Sequence, residues 1–157
     1  MEHLEIERKF LVTSDAYRQE ATSQTHIAQG FLNTDPSRTV RVRIMGDKGF
    51  LTVKGASNDS GTTRFEWEIE INTAEATNLI DLCESGILEK IRYEIPAGQH
   101  VFEVDEFLGE NKGLIVAEVE LNHEDEKFER PDWLGDEVTG QRKYYNSQLS
   151  KTPFKTW

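Results

Sequence analysis

Leu4-Glu5-Ile6-Glu7-Arg8-Lys9-Phe10 is the stretch of this sequence that decides the fold. Its residues alternate in character, and the side chains of a β-strand point to opposite faces at each step. One face therefore carries Glu5, Glu7 and Lys9 within about 14 Å, at about 3.4 Å per residue. An amphipathic edge strand with its charges in water would show the same pattern as a strand whose charges line a site. The charge pattern of the other strands has to decide between these two arrangements.

Seven further segments have the composition of β-strands, and several are joined by short turns of the hairpin kind. They are Thr25–Asn33, Thr39–Ile44, Phe50–Lys54, Arg64–Ile71, Leu88–Ile95, Val101–Phe107 and Leu114–Leu121. About eight strands with one clear inserted helix predict an antiparallel sheet of the α+β class. Eight is also a natural number of strands for a closed barrel.

Helical periodicity is limited to three segments, Asp15–Ala21, Thr73 to Gly86 and Thr139–Ser150. The second is the clearest, with Thr73 as the expected N-cap and Gly86 as the expected stop. Its apolar face is formed by Leu79, Ile80, Leu82 and Cys83. This helix can therefore cover an apolar face of the sheet.

Composition and charge limit the class of protein. The chain has 157 residues, 36% hydrophobic and 30% charged, so we expect one folded domain over residues 1–157. No apolar run reaches the length of about 18 residues that a membrane span needs. The chain enters its first strand at once, so no signal peptide is expected, and the single Cys83 excludes an internal disulfide. The cytoplasm is the expected compartment.

The net charge of -11 argues against a nucleic acid or an anionic membrane as partner, because both need a basic surface. It does not exclude a small anion held by a local basic cluster. A small-molecule ligand is therefore the expected partner, and a homodimer is an open alternative to a monomer.

Seven of the predicted strands carry almost uninterrupted charge on one face, and the signs are sorted by strand. The charged positions are Glu5/Glu7/Lys9, Arg41/Arg43, Lys54, Arg64/Glu66/Glu68, Lys90/Arg92, Glu103/Asp105 and Glu118/Glu120. Like charges about 5 Å apart repel by roughly 3 kcal/mol even at an effective dielectric of about 20. A bare surface gains nothing from this sorting, whereas a site that holds a polyanion against one wall and divalent cations against the other does. The residues alone leave a wet outer face and a charged interior both open.

The order of these motifs resembles the CYTH superfamily, also called triphosphate tunnel metalloenzymes. Glu5-Ile6-Glu7-Arg8-Lys9 matches the family's E-x-E-x-K signature, and the charged positions given above follow it in order. Glu137-Val138-Thr139-Gly140 and Tyr144-Tyr145-Asn146 near the end are also similar to the family. The likeness covers essentially the whole chain and is strongest to the small single-domain bacterial members.

The resemblance implies an eight-stranded antiparallel barrel that is open as a tunnel, with its charged face inward and helices packed outside. It also implies divalent-metal-dependent chemistry on triphosphates. Mg²⁺ or Mn²⁺ is the expected cofactor, because these hard cations prefer oxygen ligands.

By the same resemblance, each charged residue receives an expected role. The expected metal ligands are Glu5, Glu7, Glu118, Glu120 and Asp105. The expected phosphate-binding residues are Lys9, Arg41, Arg43, Lys54, Arg64, Lys90 and Arg92. Glu66 and Glu68 are expected to hold a second metal or to orient the attacking water, with Lys9 as a third catalytic group. The segment with Arg142, Lys143 and Tyr144 closes one end of the tunnel, adds a phosphate contact or is an ordinary surface helix.

Three functions remain open on this basis. The favoured one is hydrolysis of inorganic tripolyphosphate. A class IV type adenylate cyclase or a thiamine-triphosphatase would share the tunnel and differ in what holds the organic group. A non-catalytic module that binds polyphosphate or nucleotide is the third, although a pure anion binder has no use for carboxylates beside its ligand.

Overall fold

Nine antiparallel β-strands form one sheet that closes on itself. The computed structural model describes residues 3–157. The strands are β1 Leu4–Val12, β2 Ser23–Asn33, β3 Arg38–Met45, β4 Lys48–Gly55, β5 Thr63–Ile71, β6 Leu88–Ala97, β7 His100–Phe107, β8 Ile115–Glu120 and β9 Leu134–Glu137. The helices are α1 Tyr17–Glu20, α2 Thr73–Ile80 and α3 Asn146–Leu149, with short 3-10 turns at Gly109–Asn111, Arg142–Tyr144 and Phe154–Thr156.

The barrel runs in the order β5-β4-β3-β2-β6-β7-β8-β1 and closes because β5 also pairs with β1. This closing ladder is short, with Leu4, Glu5 and Ile6 opposite Phe65, Arg64 and Thr63. Farther along β1, Phe10 and Val12 pair with β9 instead. The predicted eight-stranded antiparallel barrel is confirmed, and β9 is an additional strand that the sequence prediction missed. It covers the length of β1 edge that β5 leaves unpaired.

The charged faces of the strands point into the barrel, and the apolar faces point outward. The larger of two buried clusters lies outside the barrel and packs Phe10, Phe102 and Val104 against Tyr17 of α1 and against Trp133. The smaller one lies inside the barrel at one end, where Leu88 and Val116 share the inward strand faces with the charged residues and pack against Tyr144 and Leu149 of the carboxyl-terminal segment. Most of the hydrophobic core therefore surrounds the barrel, an apolar cluster closes one end of its interior, and the rest of the interior holds polar side chains.

The helix α2 packs on β2, β3 and β4, as its apolar stripe predicts. Its N-cap is Asn72 and not Thr73, because the Asn72 side chain accepts a hydrogen bond from the backbone nitrogen of Glu75. It ends at Ile80, well before Gly86, and Leu82 is 73% exposed. In residues 3–157, no helix has the length and apolar character needed to cross a membrane.

The outer face of β5 is not covered by a helix. Phe65, Trp67 and Ile69 are 40%, 36% and 42% exposed there. The expectation that helices cover the apolar strand faces is therefore wrong for this strand, because α2 reaches only as far as β4. Trp67 lies on the outside, as its alternation with the inward charges requires.

Trp133 is expected to contribute strongly to stability, because it is 1% exposed and its ring packs edge-on against Tyr17 and Phe102. Replacing it by phenylalanine should lower the free energy of unfolding by about 1–3 kcal/mol. Trp67→Phe is the matched control and should change it by less than about 0.5 kcal/mol. Urea denaturation followed by circular dichroism measures both, and equal effects of the two variants would contradict the assigned core.

Candidate active site

The inward faces of the strands enclose a cavity of about 220 Å³. Seven cationic and seven carboxylate side chains line it. They are Lys9, Arg41, Arg43, Lys54, Arg64, Lys90 and Arg92, and Glu5, Glu7, Glu66, Glu68, Glu103, Glu118 and Glu120. The structure thus brings together every site residue predicted from the sequence except Asp105, and it adds Glu103.

The strand order places like charges on adjacent strands. Four neighbouring strands, β4-β3-β2-β6, carry what we call the basic wall, which consists of Arg41, Arg43, Lys54, Lys90 and Arg92. The remaining four, β7-β8-β1-β5, carry the acidic wall, which consists of all seven lining glutamates. Lys9 and Arg64 lie among these glutamates. The sorting by strand seen in the sequence therefore becomes a sorting into two halves of one cavity.

Arg41 and Arg43 form the centre of the basic wall. Their Nη2 atoms lie 3.4 and 3.5 Å from Oε2 of Glu68, which also accepts a hydrogen bond of 2.6 Å from Thr52. The Nε atoms of both arginines are buried and have no hydrogen-bond partner among residues 3–157. Burial and the neighbouring Arg41 lower the pKa of Arg43 to about 10. Two neighbouring guanidinium groups in the cavity lining favour binding of an anion with several oxygens.

Lys54 connects the two walls. Its Nζ lies 3.0 and 3.2 Å from the two carboxylate oxygens of Glu5 and 3.3 Å from Glu66. Burial opposes ionisation of Glu5, but Lys54 and then Arg64 outweigh it and lower the pKa of Glu5 to about 2. Burial raises the pKa of Glu66 despite the same lysine. Glu5 is therefore a fixed carboxylate, and Glu66 is the more basic of the two.

Glu7, Glu118 and Glu120 form the middle of the acidic wall. The strand register puts Glu7 directly opposite Glu120, and Lys9 opposite Glu118. Glu7 is hydrogen-bonded to Glu118. Burial first, and then the charges of Glu118 and Glu5, raise the pKa of Glu7 well above its usual value. Burial has the same direction for Glu118, but Lys9 overcomes it and lowers that pKa. Of the two carboxyl groups, Glu7 therefore keeps its proton to the higher pH, and in that form it donates to Glu118.

Asp105 lies on the inward face of β7 beside Arg92, but it does not line the cavity. It is 1% exposed, and its carboxylate accepts hydrogen bonds of 2.8 and 2.9 Å from Arg92. Lys90 Nζ is 2.8 Å from the same carboxylate. Both oxygens are therefore engaged by cations, and the contacts are those of a residue that orients Arg92 and Lys90. Burial lowers the pKa of Lys90 to about 8, and Asp105 opposes this shift.

The carboxyl-terminal segment contributes to the cavity through residues other than those expected. Tyr145, Asn146 and Ser147 line it, together with Thr139 and Gly140. Lys9 Nζ lies 5.4 Å from the centre of the Tyr145 ring. The continuous helix predicted over Thr139–Ser150 is wrong, because extended backbone at Tyr145 separates the 3-10 turn from α3.

Arg142, Lys143 and Tyr144 do not line the cavity, since the first two are exposed and Tyr144 packs on Trp157. Arg142 and Lys143 therefore lie on the surface, whereas the buried Tyr144 packs with Leu88 and Val116 and closes one end of the barrel. Nothing in the alternation of the strands could have indicated Asn146. The only signal was the likeness of Tyr144-Tyr145-Asn146 to the family's tail.

The donor set of the acidic wall fits a hard divalent cation, because it consists of carboxylates and its lining contains neither histidine nor cysteine. Within the described chain, no three acidic, histidine or cysteine side chains are already gathered around one point as metal ligands. The reason lies in the contacts above, where Glu5 is held by Lys54 and Glu7 by Glu118. A cation would be bound by exchange of these partners.

Comparisons with known proteins agree with this geometry. A relative from Acetivibrio thermocellus named inorganic triphosphatase is 47% identical over 154 residues, which cover 98% of this chain and 97% of that protein. A second, from Nitrosomonas europaea and also named inorganic triphosphatase, is 36% identical over 151 residues, covering 93% and 96%. A crystal structure of an inorganic triphosphatase superposes with a TM-score of 0.65 at 34% identity, covering 93% of each chain. The family model described as CYTH domain matches residues 3–153. The chain belongs to the CYTH domain family.

Proposed function

We propose that this protein hydrolyses inorganic tripolyphosphate inside its barrel, with a divalent metal ion as cofactor. The observation that carries the proposal is the cavity in which a basic wall faces an acidic wall of seven glutamates. The two curated relatives named inorganic triphosphatase support it.

The equal number of positive and negative side chains explains why a metal is needed. A bare polyanion gains from the basic wall but is repelled by the acidic wall at the same distance. Divalent cations that enter with the triphosphate offset this repulsion. Glu5, Glu7, Glu118 and Glu120 would hold Mg²⁺ or Mn²⁺, which, when bound, neutralises charge on the phosphate oxygens and makes a coordinated water more acidic.

The residues of the chain bind and orient the reactants. Arg41 and Arg43 bind phosphate oxygens through the guanidinium groups that line the cavity, and Lys90 and Arg92 are held in place for the same task by Asp105. Phosphoryl transfer depends mainly on such positioning and on charge stabilisation.

The acidic wall supplies the proton acceptor for the attacking water. Glu66, whose pKa is raised by burial, accepts a proton from this water. Glu68 is held by Thr52 and the two arginines and orients the water. The new P–O bond forms at a terminal phosphorus as the bond to the bridging oxygen breaks. Lys9 stabilises the charge on the leaving pyrophosphate, and the other product is orthophosphate.

The lining of the cavity favours an inorganic substrate over a nucleotide or thiamine triphosphate. Its aromatic members are Phe31 and Tyr145. Phe31 is 4% exposed, and the Tyr145 ring is already covered by Lys9 and Arg64. Neither offers a free face for stacking of an organic ring.

The purified protein should be incubated with tripolyphosphate, ATP or thiamine triphosphate, with Mg²⁺ or Mn²⁺ and with a chelator as control. We expect orthophosphate from tripolyphosphate with metal and none with chelator. Cyclic AMP from ATP would indicate a cyclase, and faster release from thiamine triphosphate would indicate a thiamine-triphosphatase. Binding of tripolyphosphate without any turnover would leave a binding module.

The cytoplasmic location and the expected lack of nucleic-acid and membrane partners stay predictions. The assembly state also stays a prediction. Light scattering of the purified chain decides between a monomer and a homodimer.

A further inference from the structure

Asn146 is a cavity-lining residue to which the reaction above gives no task. It is the first residue of α3 and follows Tyr145, whose extended backbone directs both residues to the cavity. It contacts the basic wall at Lys90 and the buried Gln29 of β2. These two contacts determine how its amide group is oriented.

The orientation of the Asn146 amide follows from donor chemistry. Lys90 Nζ lies 2.9 Å from Asn146 Oδ1, and an ammonium group can only donate. The atom that faces Lys90 must therefore be the oxygen, so the alternative amide assignment is excluded. Nε2 of Gln29 donates to the same oxygen at 2.8 Å. Oδ1 of Asn146 is thus held by two donors.

The orientation of the Gln29 amide follows from the same argument, and it leaves one buried oxygen without a hydrogen-bond partner. Its side chain is fully buried, and its Oε1 has no hydrogen-bond partner among residues 3–157. A rotation of the Gln29 amide by half a turn would place Oε1 against Oδ1 of Asn146, which is also an acceptor. Because buried amide oxygens are seldom left without a partner, this arrangement needs a reason. The reason is that this arrangement holds the Asn146 side chain in one orientation.

The consequence is a free donor in the cavity. Nδ2 of Asn146 makes no hydrogen bond within the described part of the chain, while Oδ1 is held by two donors and the residue lines the cavity. A neutral donor beside Lys90 adds hydrogen bonds to an anion without adding repulsion between cations.

We infer that Asn146 is a substrate-binding residue that donates from Nδ2 to a phosphate oxygen, and that Gln29 is the positioning residue that orients it. The inference rests on the proposed function for the identity of the anion. It adds a neutral contact from the carboxyl-terminal segment to the charged contacts made by the strands.

Two variants separate the donor from the other properties of Asn146. Asn146→Asp keeps the oxygen that Lys90 and Gln29 contact, but it loses the donor and gains a charge. Asn146→Ala loses the donor and the oxygen but gains no charge. Because both lack the donor, both should raise the dissociation constant of tripolyphosphate about tenfold or more, the range for a hydrogen bond to a charged group. Calorimetric titration with Mg²⁺ present, in a Glu66→Gln background that lacks the proton acceptor for the attacking water, measures it without turnover.

The remaining outcomes overturn the inference. If only Asn146→Asp raises the dissociation constant, the added charge is responsible. If only Asn146→Ala raises it, the lost contact with Lys90 and Gln29 is responsible. If Asn146→Ala does not fold, Asn146→Asp is titrated at low and high salt. A loss of affinity that disappears as salt screens the charge contradicts the donor role.

Gln29→Leu tests the positioning role. It should raise KM for tripolyphosphate about threefold, a change of the size that a weakened hydrogen bond gives, and leave kcat unchanged. An unchanged KM, or a fall in kcat with KM unchanged, contradicts it. A wild type that binds tripolyphosphate without turnover refutes only the proposed function. A wild type that hydrolyses it while both Asn146 variants bind it equally well refutes only the inference, and a wild type that does neither refutes both.

Discussion

Glu7→Gln is expected to abolish metal-dependent turnover, by at least about a thousandfold, and to make the metal-free protein more stable at neutral pH. The loss is the several kcal/mol that a bound metal ion supplies to the transition state. Glutamine has the shape of the protonated Glu7 and can donate to Glu118 in the same way, but it cannot become a carboxylate ligand.

The sign of the stability change follows from the raised pKa of Glu7. A carboxyl group with a higher pKa in the folded than in the unfolded state stabilises the fold at low pH. That stability is lost as the pH rises from the unfolded value through the folded one. Glutamine does not ionise, so the denaturation midpoint of Glu7→Gln should be higher than that of the wild type. The difference between the two midpoints should grow as the pH rises through this window. The wild type should also release protons on metal binding, and the variant fewer.

Steady-state kinetics, calorimetry in buffers of different ionisation enthalpy and thermal denaturation at several pH values measure these three effects. Glu70→Gln is the matched control, because Glu70 lies on the same strand face as Glu66 and Glu68 but is exposed and outside the cavity lining. It should change none of them. Full metal-dependent activity of Glu7→Gln would show that Glu7 is not a metal ligand.

Asp105→Asn is expected to lower the free energy of unfolding by about 3–5 kcal/mol, because it leaves two buried cations without their carboxylate. Asp105 and Lys90 are 1% and 2% exposed, and Arg92 makes two hydrogen bonds to Asp105. Burial already lowers the pKa of Lys90 to about 8, and loss of Asp105 should lower it further. KM for tripolyphosphate should then rise about tenfold or more, as phosphate contacts are misaligned.

This variant also separates the role predicted from the sequence from the one its contacts indicate. A metal ligand at position 105 would lose metal affinity on replacement, with phosphate binding intact. A residue that orients Arg92 and Lys90 should lose phosphate binding, with metal affinity intact. Glu89→Gln on β6 is the control, since its pairing with His26 is half-exposed on both sides, and it should change stability by less than about 0.5 kcal/mol. Chemical denaturation and calorimetric metal titration distinguish the outcomes.

The strands and the two faces of each were predictable from the sequence, because alternation is a local property of the backbone with a period of two residues. The four residues Leu134–Glu137 of β9 carry no such signal. They are a strand because β1 has an unpaired edge at that place. The helix predicted over Thr139–Ser150 failed for a similar reason, since Tyr144 packs into the apolar cluster that closes one end of the barrel and Tyr145 lines the cavity. One continuous helix did not form under these tertiary contacts.

The sequence by itself determined which residues carry charge, which strand each belongs to and, through the family motifs, that the charged face is inward. Only the tertiary structure decided that β2 pairs with both β3 and β6, so that the basic residues of β4, β3 and β6 fall in one half of the barrel. It also placed Asp105 against Arg92 and Lys90, and Asn146 in the cavity. Which strands are neighbours in a closed barrel depends on pairing between segments that are distant in the sequence. The alternation of residues along one strand therefore predicts neither the strand order nor which groups a side chain reaches.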